Sequence, residues 1–159
     1  MLELHLMEEM DITAIQNWPS YPPEFAELDY ALRVDGWLAE YQQKPDTWIY
    51  VAKQYEKITA FTILSKTGEA SAEFRIALRA DKLGQGLGKT IAVMTLSQGF
   101  SEIGLKRIHL IVRKNNTRAM HLYRRLGFKD CGEILKTIDN KQVEFLAMEI
   151  SQAPLSISP

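Results

Sequence analysis

The sequence predicts one mixed α/β domain: a single sheet of about seven strands with helices on both faces. Three observations predict it. Alternating apolar stretches recur at strand length, and apolar residues at helical spacing separate the later ones. A chain of 159 residues with 46% hydrophobic content also suits one compact core.

The elements follow in order. Leu2, Leu4 and Leu6 alternate with polar or softer residues, as in a first strand. Asp11 to Trp18 reads as a short helix ended by Pro19, and Tyr21-Pro22-Pro23 as a stiff turn. Phe25, Leu28 and Leu32 mark a helical face beyond that turn. Trp37, Leu38 and Tyr41 carry the spacing past Gly36, as a second helix or a kink. Trp48 to Lys53 and Ile58 to Leu64 form strands around Tyr55-Glu56-Lys57, and a turn at Gly68 leads into a strand from Ala70 to Arg79. After a glycine-dense loop, Val93, Leu96, Phe100 and Ile103 recur at helical spacing, closed by Gly104 as a left-handed cap. Arg107 to Val112 is the next strand. A helix follows it, then a hairpin of Lys129 to Thr137 with Gln142 to Ile150 across Asp139-Asn140, a pair suited to positive φ. Residues 1–150 make the domain, and the polar, proline-containing residues 151–159 make a fraying tail.

Composition narrows the classes. No secretory h-region, long apolar span or basic leader is visible, so the expectation is a cytoplasmic protein with neither a membrane nor a nucleic-acid partner. The single Cys131 forms no internal disulfide, which agrees with a reducing compartment, and no metal cluster is apparent from the scattered histidines. Residues 1–73 carry 13 Asp/Glu against 5 Lys/Arg, and residues 74–159 carry 7 against 14. A polyanionic cofactor is drawn to the second half and a cationic acceptor to the first, unless the charges mix in three dimensions.

The most specific segment is Leu83-Gly84-Gln85-Gly86-Leu87-Gly88-Lys89-Thr90, three glycines in five residues running into an amphipathic helix. Converging backbone N–H groups and the positive end of a helix suit a phosphate or diphosphate. Gly88-Lys89-Thr90 supplies the end of a P-loop, but Leu83 stands where its first glycine belongs, and no strand ending in a magnesium-binding Asp is visible. The dinucleotide pattern fails as well, because Lys89 or Ile91 falls where the third glycine belongs.

What remains is x-Gly-x-Gly-x-Gly opening a helix, flanked by the Ala72 to Leu78 strand and later by Asn116…Tyr123…Leu126-Gly127-Phe128. This order resembles the GNAT superfamily of N-acyltransferases, firmly from Ala72 to Phe128 and by layout over residues 1–150. The resemblance implies that strands four and five run parallel and splay, with the pantetheine arm of acetyl-CoA in the gap. It implies a diphosphate held by the loop, Gly84, Gln85, Gly86, Leu87, Gly88, Lys89 and Thr90, without a side-chain contribution at Leu83. An unpaired amide of Ile76, Ala77 or Leu78 would serve the oxyanion.

Tyr123 is the implied general acid, placed on the helix's inward face by its spacing from Ala119 and Leu126. Asn116 either bonds the pantetheine amide or caps the helix, with Ala119 beside the cofactor; Lys89, Arg113, Lys114 and Arg118 are candidates for the adenosine 3′-phosphate. The base is least defined. Glu73 stands near a position used in the family but one residue off, which reverses its face unless a bulge intervenes. Glu24, Glu27, Asp29 and Asp35 are acidic alternatives, and Trp18, Tyr21, Phe25 and Trp37 either frame the acceptor or pack the core. His109 and His121 are more ordinary as packed or surface residues than as catalysts.

The expectation is therefore direct acetyl transfer in a ternary complex, without a metal, to a peptide N-terminus or small amine, by a chain that could form a homodimer. Two other expectations stand beside it: an acyl-CoA-binding module without turnover, and a P-loop-like nucleotide binder.

Overall fold

Turn chemistry and alternation set the sheet. The computed structural model describes residues 1–33 and 35–152. Tyr55 and Glu56 adopt positive φ (53° and 70°), as do Asp139 and Asn140 (52° and 63°), so each pair makes a tight hairpin turn. Seven strands result: β1 (Leu2–Leu6), β2 (Thr47–Gln54), β3 (Lys57–Gly68), β4 (Ser71–Leu78), β5 (Arg107–Arg113), β6 (Lys129–Ile138) and β7 (Lys141–Ser151). They form one sheet in the order β1-β2-β3-β4-β5-β7-β6, and only β4 and β5 run parallel.

The helices differ from expectation mainly at their starts. Helix α1 (Glu9–Gln16) begins before Asp11 because Asp11 is the third residue of a capping box, its Oδ2 accepting from the Glu8 amide at 2.8 Å. Pro23–Leu32 is a 3₁₀ segment interrupted at Phe25 (φ −120°), not the expected α-helix. Phe25 and Leu28 are three residues apart, the repeat of the tighter helix. Helix α2 (Trp37–Tyr41) is short. Helix α3 (Leu87–Ser97) continues through a π-type turn, Gln98–Ile103, to Gly104 at φ 82°. Helix α4 (Thr117–Leu126) ends at Gly127, φ 108°.

Strand periodicity sorts the core into two layers. Ala72, Phe74, Ile108, Leu110 and Val112 face Leu96, Met120 and Tyr123 of α3 and α4. Phe61, Ile63 and Ala77 face Ile15, Ala31, Leu38 and Tyr41 on the opposite side. Helices thus cover both faces, as the sequence predicts.

Candidate active site

The site begins where the sheet comes apart. β4 and β5 pair at only three positions, Ser71↔Arg107, Ala72↔Ile108 and Glu73↔His109. Beyond them β4 stays paired with β3 as far as Leu78↔Ala60, and β5 with β7 as far as Arg113↔Phe145. A slot opens between two strands that are each held from the other side. The Arg79 amide donates to the Thr59 carbonyl at 2.8 Å. Alternation then turns the amides of Arg75 and Ala77 toward β3; the Phe74 amide closes the last rung of the β4–β5 ladder beside Glu73↔His109, and those of Ile76 and Leu78 face the open slot. Ile76 and Leu78 therefore fit the expected oxyanion role; Ala77 does not, because its peptide group belongs to the β3 ladder.

The glycine turn stands at the upper end of β4. Gly84 (φ 75°) and Gly86 (φ 79°) take left-handed conformations that other residues rarely adopt, and Gly86 directly precedes α3. A Cβ at Gly86 would meet nothing within 4 Å, so this face of the turn is open to a ligand. The first-turn amides of Leu87, Gly88 and Lys89 have no intrahelical acceptor. Lys89 and Thr90 are exposed, and Gln85 Nε2 donates to the Asp81 carbonyl at 2.8 Å, bracing the loop. Gly88 is less demanding, since a Cβ there would make ordinary contacts with Leu78 and Leu122 at 3.7 and 3.8 Å. Arg118 reaches over from α4, its Nη1 3.4 Å from the Cβ position of Gly84. The donor set fits a diphosphate.

Tyr123 sits beneath the slot. Its ring packs edge-on against Phe74 (centroids 6.4 Å) and Phe128 (5.6 Å). Burial pushes its phenol above the ordinary range near 10, so the group stays protonated. The hydroxyl bonds no described residue, yet it is not among the fully buried unpaired polar atoms. Asn116 caps α4, its Oδ1 accepting from the Ala119 amide at 3.2 Å, which leaves its Nδ2 free to donate.

Glu73 lies on the other face. Tyr41 Oη donates to Glu73 Oε1 at 2.7 Å, Arg75 Nη2 to Glu73 Oε2 at 3.1 Å, and Arg75 Nε to Tyr41 Oη at 2.9 Å. The Arg75 guanidinium also lies against the rings of Trp37 (5.1 Å) and Tyr41 (5.4 Å). The Glu73 carboxylate is thus engaged on the face of β4 opposite Tyr123. Arg75 and Tyr41 were missed in the sequence; the only signal was that Glu73 and Arg75 share one face of a strand whose other face is apolar.

The stretch 17–33 straps across the slot. Tyr21 Oη donates to the Leu78 carbonyl at 2.6 Å, and Phe25 lies 5.5 Å from the Arg118 guanidinium. Asn115 Nδ2 donates to Glu27 Oε2 at 3.3 Å, with Arg113 Nη1 3.8 Å from the same oxygen. Arg33 bridges Asp29 and Asp139, each at 3.1 Å. Trp18 and Trp37 pack on Phe61 at 6.1 and 6.4 Å, so that part of the aromatic lip is core. Lys114 pairs with Glu133 at 3.0 Å. His109 Nε2 is 2.8 Å from Thr67 Oγ1, and burial with Arg107 nearby lowers its pKa; His121 is exposed. Among the described residues no group of His, Cys, Asp or Glu is placed to hold a metal, and no helix is long and apolar enough to cross a membrane.

A mixed sheet split between two parallel strands, with a phosphate-type turn at the mouth of the split, defines the acyltransferase class of fold. The chain belongs to the acetyltransferase (GNAT) family, whose model matches residues 11–128. Within it, 64 residues are 39% identical to spermidine N(1)-acetyltransferase of Escherichia coli K12, covering 40% of this chain and 34% of that protein. A 66-residue stretch is 33% identical to the Vibrio cholerae protein of the same name, covering 42% and 38%. The matches thus span little more than a third of those relatives. The solved structure of Vibrio cholerae spermidine N-acetyltransferase in complex with CoA and spermine superposes with a TM-score of 0.78 over 95% of both chains, at 22% identity, a likeness of fold. Family membership removes the P-loop alternative.

Proposed function

We propose that this chain is an N-acetyltransferase that moves the acetyl group of acetyl-CoA to the primary amine of a small acceptor, with polyamines the first acceptors to test. The observation that carries the reading is the slot, which has unpaired β4 amides on one bank, the glycine turn at its mouth and the Tyr123 phenol beneath. Acetyl-CoA supplies a thioester carbonyl and a thiolate leaving group. Amides from Gln85 to Lys89, backed by the positive end of α3, hold the diphosphate, and Arg118 adds charge from α4. Ile76 and Leu78 take the pantetheine arm as a substitute for a neighbouring strand, and Asn116 Nδ2 donates to it beside Ala119. The Ile76 amide steadies the carbonyl oxygen as charge grows there, a contribution of about 3–4 kcal/mol. Tyr123 protonates the departing sulfur.

Glu73 is not assigned as the base, since its carboxylate is held by Arg75 and Tyr41. An ordered water is assigned that role. Deprotonating an amine of pKa near 10.4 at pH 7 costs about 4.6 kcal/mol, so kcat/KM rises with pH toward the acceptor's own pKa. The exposed carboxylates Glu24, Glu27, Asp35 and Glu40 around the strap suit a cationic acceptor, as do the names of the relatives. The single unpaired Cys131 supports a cytoplasmic setting.

The test is a thiol-release screen with acetyl-CoA against spermidine, spermine, aminoglycosides and peptides with free N-termini. Turnover with a polyamine supports the full reading, and turnover with another amine corrects the acceptor. Tight CoA binding with no turnover identifies an acyl-CoA-binding module instead.

A further inference from the structure

Tyr21 holds a backbone group that the slot needs. Because the Arg79 amide points to β3, planarity of the same peptide turns the Leu78 carbonyl into the slot, where Tyr21 Oη meets it at 2.6 Å. The contact is built in: Tyr21 is only 9% exposed. Burial, with Asp29 nearby, also raises its phenol above the ordinary range, so it remains a donor. Of the strap's polar anchors among the described residues, Glu27 meets the side chains of Arg113 and Asn115 at the end of β5, and Arg33 meets Asp139 in the β6–β7 turn. Among these anchors Tyr21 is the one that bonds the slot's backbone.

Leu78 carries the outermost slot-facing carbonyl of β4, nearest the glycine turn. An amide-bearing arm laid along β4 from a diphosphate at that turn brings N–H donors to this same oxygen. On the reading proposed above, we infer that Tyr21 and the amide arm of acyl-CoA compete for the Leu78 carbonyl. Cofactor entry thereby frees residues 21–33 from β4 and opens the acceptor face. Tyr21 is thus a positioning residue that makes acceptor binding follow cofactor binding.

Two measurements on the full chain test this. Tyr21→Phe keeps the ring and removes the donor, and CoA should then bind about two- to tenfold more tightly by calorimetry, the worth of one neutral hydrogen bond. In the wild type, amide hydrogen exchange over residues 21–33 should rise when CoA is added; in Tyr21→Phe it should already be high without CoA. CoA binding that leaves wild-type exchange unchanged, or a Tyr21→Phe affinity equal to or weaker than wild type, overturns the inference alone. A wild-type chain that does not bind CoA overturns the proposed function as well.

Discussion

On the α3–α4 side of the slot, position is set by backbone: strand amides at Ile76 and Leu78, two left-handed glycines and the start of a helix. On the α1–α2 side it is set by side chains that meet across long separations in the chain. Tyr21 reaches Leu78 over 57 residues, Asn115 reaches Glu27 over 88, and Arg33 reaches Asp139 over 106. A backbone site tolerates side-chain change and keeps its geometry. A side-chain site alters with each partner, so one bank suits a constant ligand and the other a variable one.

The largest effect should fall on the first bank. Tyr123→Phe is expected to lower kcat by roughly 10²–10⁴ while CoA affinity stays nearly constant; an unchanged kcat would remove Tyr123 as the acid. Glu73→Gln probes the second bank. It leaves Arg75, 16% exposed, charged and without its carboxylate, and should cost about 1.5–3 kcal/mol in urea unfolding. Its kcat should fall less than about tenfold. A loss matching that of Tyr123→Phe would reinstate Glu73 as the base.

Alkaline pH strains both banks. Burial raises the phenols of Tyr21, Tyr41 and Tyr123, so the folded chain retains protons that the unfolded chain releases. Stability is therefore full below about pH 10 and falls above it, by at most about 1.4 kcal/mol per pH unit for each phenol. Urea midpoints at pH 8 and 10.5 measure this, and a flat profile would contradict the burial. Gly86→Ala forces φ 79° on a Cβ-bearing residue, an expected loss of about 1 kcal/mol together with weaker CoA binding. Gly88→Ala, without that strain, is the matched control and should keep stability. Smallest is Arg33→Ala, whose solvent-screened pairs should barely move the urea midpoint and leave CoA affinity unchanged.

The backbone bank was also the legible one. Glycine spacing, a helix following it, and an Asn, a Tyr and Leu-Gly-Phe at set distances are local signals, and the succession of strands along the chain and the hairpin at Asp139-Asn140 followed from periodicity and turn residues. The side-chain bank was not legible. Nothing near Glu73 in sequence announces Tyr41 as its partner, and Tyr21 read as one of four aromatics with two possible fates. The 3₁₀ path of Pro23–Leu32 escaped because its apolar spacing serves either helix type. The charge asymmetry between the halves is partly offset by a pair that joins them, Arg113 with Glu27.

Gly99 gives the slot a fixed length. A Cβ there would lie 3.0 Å from Ile108 Cδ1 and 3.1 Å from Leu64 Cδ1, so the bare backbone lets the far end of α3 rest directly on the strands. Ile108 belongs to the Ala72↔Ile108 pair at the root of the split, and the near end of the same helix carries the glycine turn. A helical rod of about 18 Å joins the two points. On the reading proposed above, the helix works as a gauge: it fixes the depth of slot against which the tether of a phosphate-gripped molecule is measured.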